Sequence, residues 1–335
     1  MPKKRKIIGE SSVIKKIQSS AGTLESAAIP ATGLALAIGD DAAIWRPRAG
    51  YETVLTVDWF LEGTHFLANR HRPEMVAYKC LARAVSDIAA MGAEPRCFLL
   101  SLALPRARTG KWLDKFLVAL QSTAQRFDCP LAGGDTTNRK EILINITVVG
   151  ECKRGHAVLR SGASPGDAIF VTGRLGEAAY GWRLLGRAAN RIRPSQEMKK
   201  HLFPQPRLAA GQWLAERKLA TAMMDISDGL STDLARLGTA SGVGAEIYEA
   251  LLPTVKLGPR DSNRKFDAIE LALDGGDDYE LLFAVKEKNI AHIPPSIGRV
   301  PVTRIGRVTT EKHFLLLDKR GAAKPLGNRG WDPFR

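Results

Sequence analysis

The stretch LRSGASPGDAIFVTGRLGEAAYG, residues 159–181, divides the chain. Ser161-Gly162 and Pro165-Gly166 are turn chemistry, because glycine enters positive-φ positions and proline presets φ. The β-branched and aromatic run AIFVTG, residues 168–173, then predicts a strand. A turn-rich junction followed by a fresh strand predicts the start of a second α/β unit, with domains over 1–158 and 159–335. A chain of 335 residues also exceeds the usual size of one hydrophobic core.

Upstream of the junction, ETVLTV (52–57) predicts a strand ending at Asp58. From Glu74 to Ala90, Met75, Tyr78, Leu81, Val85 and Ile88 fall at helical spacing, with Pro73 where a helix can begin. CFLLSLALP (97–105) reads as a buried strand stopped by Pro105, residues 111–127 as a helix, and EILINITVVGE (141–151) as a strand. Downstream, helices are expected over 206–217 and after Asp228-Gly229, where Leu230, Leu234 and Leu237 share a face. Strands are expected around 245–249, 279–285 and 301–308. This alternation implies a mixed α/β (α+β) architecture.

Composition sets limits. With 44% hydrophobic and 25% charged residues, the chain is ordinary for a globular protein. No apolar run approaches the roughly 20 residues of a membrane span. The opening MPKKRKIIGE is basic but lacks the apolar segment of a secretory signal, so a solvated tail and a cytoplasmic location are expected. Cys80, Cys97, Cys129 and Cys152 are widely spaced, and the histidines show no ligand spacing. Any metal should therefore be hard and oxygen-liganded, which points to Mg²⁺. The net charge of +14 attracts polyanions. Yet basic residues cluster only briefly, at 3–6, 15–16, 153–154 and 199–200, without interleaved aromatics, so specific nucleic-acid binding is not supported.

The acidic residues carry the chemistry. Asp40 and Asp41 sit in AIGDDAAIW (37–45), Asp58 in LTVDWF, Asp87 in VSDIAAMGAEP and Asp135 in LAGGDTTN. Asp225 and Asp228 lie in MMDISDGLSTD, and Asp277 and Asp278 in LDGGDDYELLF. An unpaired buried carboxylate is strongly unfavourable. Singly, Asp228 reads as a helix N-cap and Asp135 as a turn residue. Together they fall at the ends of apolar strands, where α/β proteins bind ligands. No P-loop is present, so a nucleoside triphosphate would be held by aspartates through bridging Mg²⁺.

IGDDAA, EGTHF, SDIAAMGAEP, AGGDTT, LRSGASPGD, DISDGLSTDL, GGDDYELLF and GWDPF follow one another in a recognisable order and spacing. From about Gly39 to Phe334 the chain resembles the thiamine-monophosphate kinases, a family of the aminoimidazole-ribonucleotide-synthetase-like superfamily. The resemblance implies a homodimer in which the amino-terminal sheets of two subunits form a shared barrel, with the second α/β domain packed beside it. It implies ATP-dependent, Mg²⁺-assisted phosphorylation of thiamine monophosphate to thiamine diphosphate. The domain over 1–158 would bind ATP and Mg²⁺ and dimerise, and that over 159–335 would complete the site.

Carried over by motif, the metal ligands fall on Asp41, Thr56, Asp58, Asp87, Asp135, Asp225 and Asp228. Gly134, Asp135, Arg160 and Ser227 match nucleotide-contacting positions, and Asp135, Asp225 and Arg160 are the expected catalytic group. His65, Asp277 and Trp331 match positions that contact thiamine monophosphate. Three residues depart from the family pattern. Val57 replaces a threonine, which is expected to remove a hydroxyl near the metal; Asp277 replaces a glutamate; Pro333 stands in place of a histidine. The acceptor phosphate is already largely dianionic at pH 7, its second pKa being about 6, so no general base is required. Another ATP-using enzyme of the superfamily, of ribonucleotide cyclo-ligase or selenophosphate synthetase type, is the alternative. The latter expects a cysteine in its amino-terminal segment, and none precedes Cys80. A non-catalytic polyanion-binding protein would have no use for so many acidic motifs.

Overall fold

A computed structural model describes residues 10–20, 33–38, 40–187, 195–258, 261, 266–327 and 329–334. The basic cluster at 3–6 lies outside them. Contacts divide the chain into two compact units, Met1–Val85 with Pro95–Glu151, and Ser86–Glu94 with Cys152–Arg335.

The first unit begins with α1 (Glu10–Ser20) and the short antiparallel pair β1 (Leu34–Leu36) and β2 (Ile44–Trp45). It continues through β3 (Tyr51–Leu61), α2 (Pro73–Ala90, whose residues from Ser86 on belong to the second unit), β4 (Glu94–Leu104), α3 (Lys111–Arg126), β5 (Leu131–Asn138) and β6 (Leu143–Lys153). Its sheet runs β3-β6-β4-β5, with β4 and β5 parallel and joined through α3. Leu113, Phe116, Leu117, Leu120 and Ala124 form the buried stripe of α3, at the helical spacing that covers a sheet face.

Strand β3 does not stop at Asp58 but runs on to Leu61, so Asp58 lies within it. Its pleat sends Val54, Thr56, Asp58 and Phe60 to one face and Leu55, Val57 and Trp59 to the other. These last three are 68%, 61% and 54% exposed. One residue along a strand reverses the side chain's direction, and Val57 faces away from Asp58.

The second unit contains β7 (Ala168–Thr172), α4 (Glu177–Arg187), α5 (Lys199–Leu202), α6 (Leu208–Glu216), β8 (Ala220–Asp225), α7 (Leu230–Ser241) and β9 (Gly244–Tyr248). These are followed by α8 (Ala268–Asp274), β10 (Leu281–Val285), β11 (Ser296–Ile297), β12 (Val300–Thr309), β13 (Phe314–Leu317) and β14 (Ala323–Pro325). The sheet order is β14-β13-β9-β12-β7-β10-β8, with β11 on β12. Neighbours are antiparallel along β9-β12-β7-β10-β8, and β13 joins β9 in parallel.

Every residue of β7 and β10 is buried, because helices cover both faces of this sheet. Ile169, Val171, Met224 and Leu282 pack against Leu230, Leu234 and Leu237 of α7. Phe170, Met223, Leu281 and Phe283 pack on the opposite face with Ala210 and Leu214 of α6. The rings of Phe170 and Phe283 stack at 5.5 Å. Among the described residues no helix is long and apolar enough to cross a membrane.

One contact sets a hard limit on α6. A Cβ added at Gly211 would lie 1.9 Å from the carbonyl oxygen of Ala89. Alanine ordinarily favours a helix by about 1 kcal/mol over glycine. Here the obstacle is backbone, and overpacking of this kind costs roughly 1–3 kcal/mol. Gly211→Ala should therefore lower the urea midpoint, and a raised midpoint would show that the two segments separate freely.

Candidate active site

In the first unit, Asp40, Asp41, Gly134 and Asp135 line a cleft of about 400 Å³ whose apolar wall includes Ile17 and Leu100. Lys16 fixes α1 beside it, through Asp114 at 2.6 Å and the Thr109 carbonyl at 3.1 Å. The Gly-Gly-Asp motif is strand, not turn, with Gly134 opposite Leu100 and Asp135 opposite Ser101. A Cβ at Gly134 would meet the Leu100 carbonyl oxygen at 1.9 Å, so only glycine allows this approach.

Asp40 accepts the Asp41 backbone N–H at 2.8 Å, and Asp135 accepts that of Thr136 at 2.8 Å. Among the described residues Asp41 and Asp135 have no ion-pair partner. No three carboxylate, imidazole or thiol groups among those residues form a ready-made metal cage. The donor set still suits Mg²⁺, which takes one or two carboxylates and completes its shell with water and substrate phosphates.

Asp58 is different, because Arg83 of α2 grips it with two hydrogen bonds of 3.0 and 3.1 Å. Thr56 shares its face of β3. His65 accepts the Leu61 N–H on Nδ1 at 2.9 Å, which places the proton of a neutral ring on Nε2. The imidazole also stacks on Phe60 at 5.7 Å.

In the second unit, Asp225 ends β8 and is buried, accepting the Ser86 hydroxyl at 2.6 Å. Asp87 follows Ser86 in the last turn of α2. Backbone bonds from Tyr279 N–H to the Ile226 carbonyl and from Asp277 N–H to the Ser227 carbonyl clasp the next loop. The Trp331 N–H donates to the Asp228 carbonyl at 2.9 Å, so the GWDPF segment lies on the same loop. Asp225, Ser227, Asp228, Asp277 and Trp331, from three distant stretches, are thus neighbours. Arg160 is exposed. Its flanking backbone runs beside β8, with Leu159 accepting the Met223 N–H and Arg160 accepting the Ser241 hydroxyl.

Residues that sequence reasoning left unassigned hold this arrangement together. Asp233 accepts the N–H groups of Ser227 and Asp228, both at 3.0 Å. Burial, then repulsion from Asp228, pushes its carboxyl up to about 6. Arg236 bridges Asp233 and Asp228. His201 of α5 holds Asp277 at 2.8 Å, and both Asp277 and Tyr279 have positive φ, 64° and 51°. Such a backbone persists only where its surroundings enforce it. Glu280 is fully buried between Lys200, Arg207 and the Thr172 hydroxyl. Burial raises its carboxyl, but the two cations outweigh that and leave it below the ordinary value.

Two family models match the chain: AIR synthase related protein, N-terminal domain, over residues 39–152, and its C-terminal domain over 164–319. This defines the class. The thiamine-monophosphate kinase of Escherichia coli K12 is 38% identical over 307 residues, covering 89% of this chain and 92% of that one. The crystal structure of thiamine-monophosphate kinase from Stenotrophomonas maltophilia K279a is 32% identical with a TM-score of 0.79, covering 95% and 98% of the two chains. The structure of AaThiL complexed with AMPPCP and TMP is also 32% identical, with a TM-score of 0.77 and coverage of 98% and 97%. Within the AIR synthase related proteins, the chain belongs to the thiamine-monophosphate kinase family.

Asp278 gives a pH test of the second unit. It is fully buried and accepts the N–H groups of Gly176 and Ala178, at the start of α4, at 2.6 and 3.1 Å. Burial pushes its carboxyl from 3.8 to about 7, against the pull of Lys200 and the two amides. The folded state therefore keeps a proton that the unfolded chain releases. That contribution is complete in acid and is lost as pH rises from about 4 through 7, by up to about 1.4 kcal/mol per pH unit. Urea unfolding of wild type and Asp278→Asn at about pH 5, 6 and 7 should show a flatter profile in the variant. Parallel profiles would place the proton elsewhere.

Proposed function

We propose that this protein transfers the γ-phosphoryl group of ATP to thiamine monophosphate, giving thiamine diphosphate and ADP. The observation that carries the reading is the glycine-floored, acid-lined cleft of the first unit, in a chain that matches thiamine-monophosphate kinases along most of its length. A terminal phosphate oxygen of the acceptor attacks the γ-phosphorus, and the bond to the β–γ bridging oxygen breaks. The acceptor oxygen carries no proton that must be removed, so the protein's task is positioning and charge neutralisation. Mg²⁺ held by Asp41, Thr56, Asp58, Asp87, Asp135, Asp225 and Asp228 would supply the neutralising charge on the polyphosphate. Gly134 allows close backbone approach, and Ser227 and Arg160 would meet the nucleotide. Asp135, Asp225 and Arg160 form the proposed catalytic group. His65, Asp277 and Trp331 would bind the thiamine end of the acceptor. Asp277 is one methylene shorter than the family's glutamate, and its left-handed backbone together with His201 sets where its carboxylate points.

A homodimer belongs to the same proposal. Leu55, Val57 and Trp59 form an apolar row on the open face of β3, and a second copy closing the sheet into a shared barrel would remove it from water. A cytoplasmic location fits the dependence on ATP.

The decisive experiment is a coupled assay for ADP with ATP, Mg²⁺ and thiamine monophosphate, with unphosphorylated thiamine as control. Turnover with thiamine but not with its monophosphate would overturn the reading. Asp225→Asn should lower kcat by about 10²–10³, the scale for losing one charge-stabilising group. Its melting temperature in metal-free buffer should be unchanged. Trp331→Ala should raise KM for thiamine monophosphate about two- to thirtyfold, through loss of cation–π contact with the thiazolium. KM for ATP should hardly move, and equal losses for both would indicate a folding defect.

A further inference from the structure

Arg236 has no role in the reading above, yet its placement is specific. It lies on α7 and reaches back past the start of that helix, sharing Nη1 between Asp233 at 2.9 Å and Asp228. A cation near a helix N-terminus opposes the helix dipole, so the position does not serve the helix itself. Its anchor is rigid. The Asp233 side chain is fully buried, with one oxygen on the Ser227 and Asp228 N–H groups and the other on Arg236. The Arg236 side chain is 44% exposed and that of Asp228 21%, so the pair opens to solvent from the arginine's side.

We infer that Arg236 is a resident counter-cation: in the metal-free protein it occupies the Asp228 carboxylate, and a divalent cation arriving there must displace it. The inference rests on the reading of Asp228 as a metal ligand. Asp228 and Asp233 are two carboxylates held on the same Arg236 nitrogen, close enough to repel each other. Without a cation on Asp228 the Ser227–Asp228 loop would be pushed off its anchor. Arg236 relieves that repulsion and keeps the loop in place. A doubly charged ion on the same carboxylate makes the arginine's charge unfavourable, and Arg236 withdraws toward solvent while Asp233 keeps its hold on the loop amides. Arg236 is accordingly a positioning residue that sets divalent affinity. It exchanges one hydrogen-bonded ion pair for another, with no covalent step.

The test titrates Mn²⁺ alone, without nucleotide, into the full-length protein and follows free Mn²⁺ by electron paramagnetic resonance. Arg236→Met should bind Mn²⁺ about tenfold more tightly than wild type, the scale for removing one half-exposed unit charge. It should also melt at a lower temperature in chelator, because the repulsion between Asp228 and Asp233 is then unrelieved. Arg236→Lys keeps the charge without the fork and should stay near wild-type affinity. Adding Asp228→Asn to Arg236→Met should abolish the gain. Unchanged or weaker Mn²⁺ binding by Arg236→Met overturns the inference, as does a gain that survives Asp228→Asn. Weaker ATP binding by Arg236→Met with unchanged Mn²⁺ affinity also overturns it, and makes the arginine a phosphate contact. A wild type that shows the Mn²⁺ exchange but fails to phosphorylate thiamine monophosphate would sink the functional reading and leave the exchange standing.

Discussion

A carboxylate removed from water must be met by donors or cations, and the second unit is organised by that requirement. Asp225, Asp233, Asp278 and Glu280 are all buried there. Each ties together segments far apart in the chain. Asp225 joins the end of β8 to Ser86, Asp233 fixes the Ser227–Asp228 backbone, and Asp278 fixes the start of α4. Glu280 draws Lys200 and Arg207 onto β7 through Thr172. Removing one partner of such a group leaves a charge without compensation, which costs about 3–5 kcal/mol. The same bonds that satisfy Asp233 hold the Ser227–Asp228 loop.

The acids therefore divide into two sets. Asp58, Asp228, Asp233, Asp277 and Glu280 have cationic or imidazole partners within the protein. Asp41 and Asp135 line the first unit's cleft and have none among the described residues. An acidic motif in a sequence thus says where charge is concentrated, while the surrounding cations decide which carboxylates a ligand meets bare and which it must take from an internal partner. Phosphoryl transfer between two anions depends on that availability, since the difficulty of the reaction is mutual repulsion.

Much of the fold was legible because helix and strand periods are local. The helix at Pro73–Ala90 and the buried strands at Ala168–Thr172 and Leu281–Val285 fall where apolar spacing places them. Other details depend on strand pairing and pleat. Asp135, which taken singly reads as a turn residue, lies in a strand paired with β4, because Gly134 lets the Leu100 backbone come close. The pleat of β3 turns Val57 to the face opposite Asp58.

By itself the sequence determined which chemistry is present: hard oxygen donors, no P-loop, and motifs specific enough to indicate a kinase family. Residue type and short-range spacing are properties of the chain alone. Tertiary structure decided which acids carry an internal counter-charge. Arg236 reaches Asp228 from the second turn of a helix, Arg83 reaches Asp58 from another element, and His201 reaches Asp277 across 76 residues. Those pairings are set by packing between elements, and a carboxylate's availability depends on the charges that packing brings within a few ångströms.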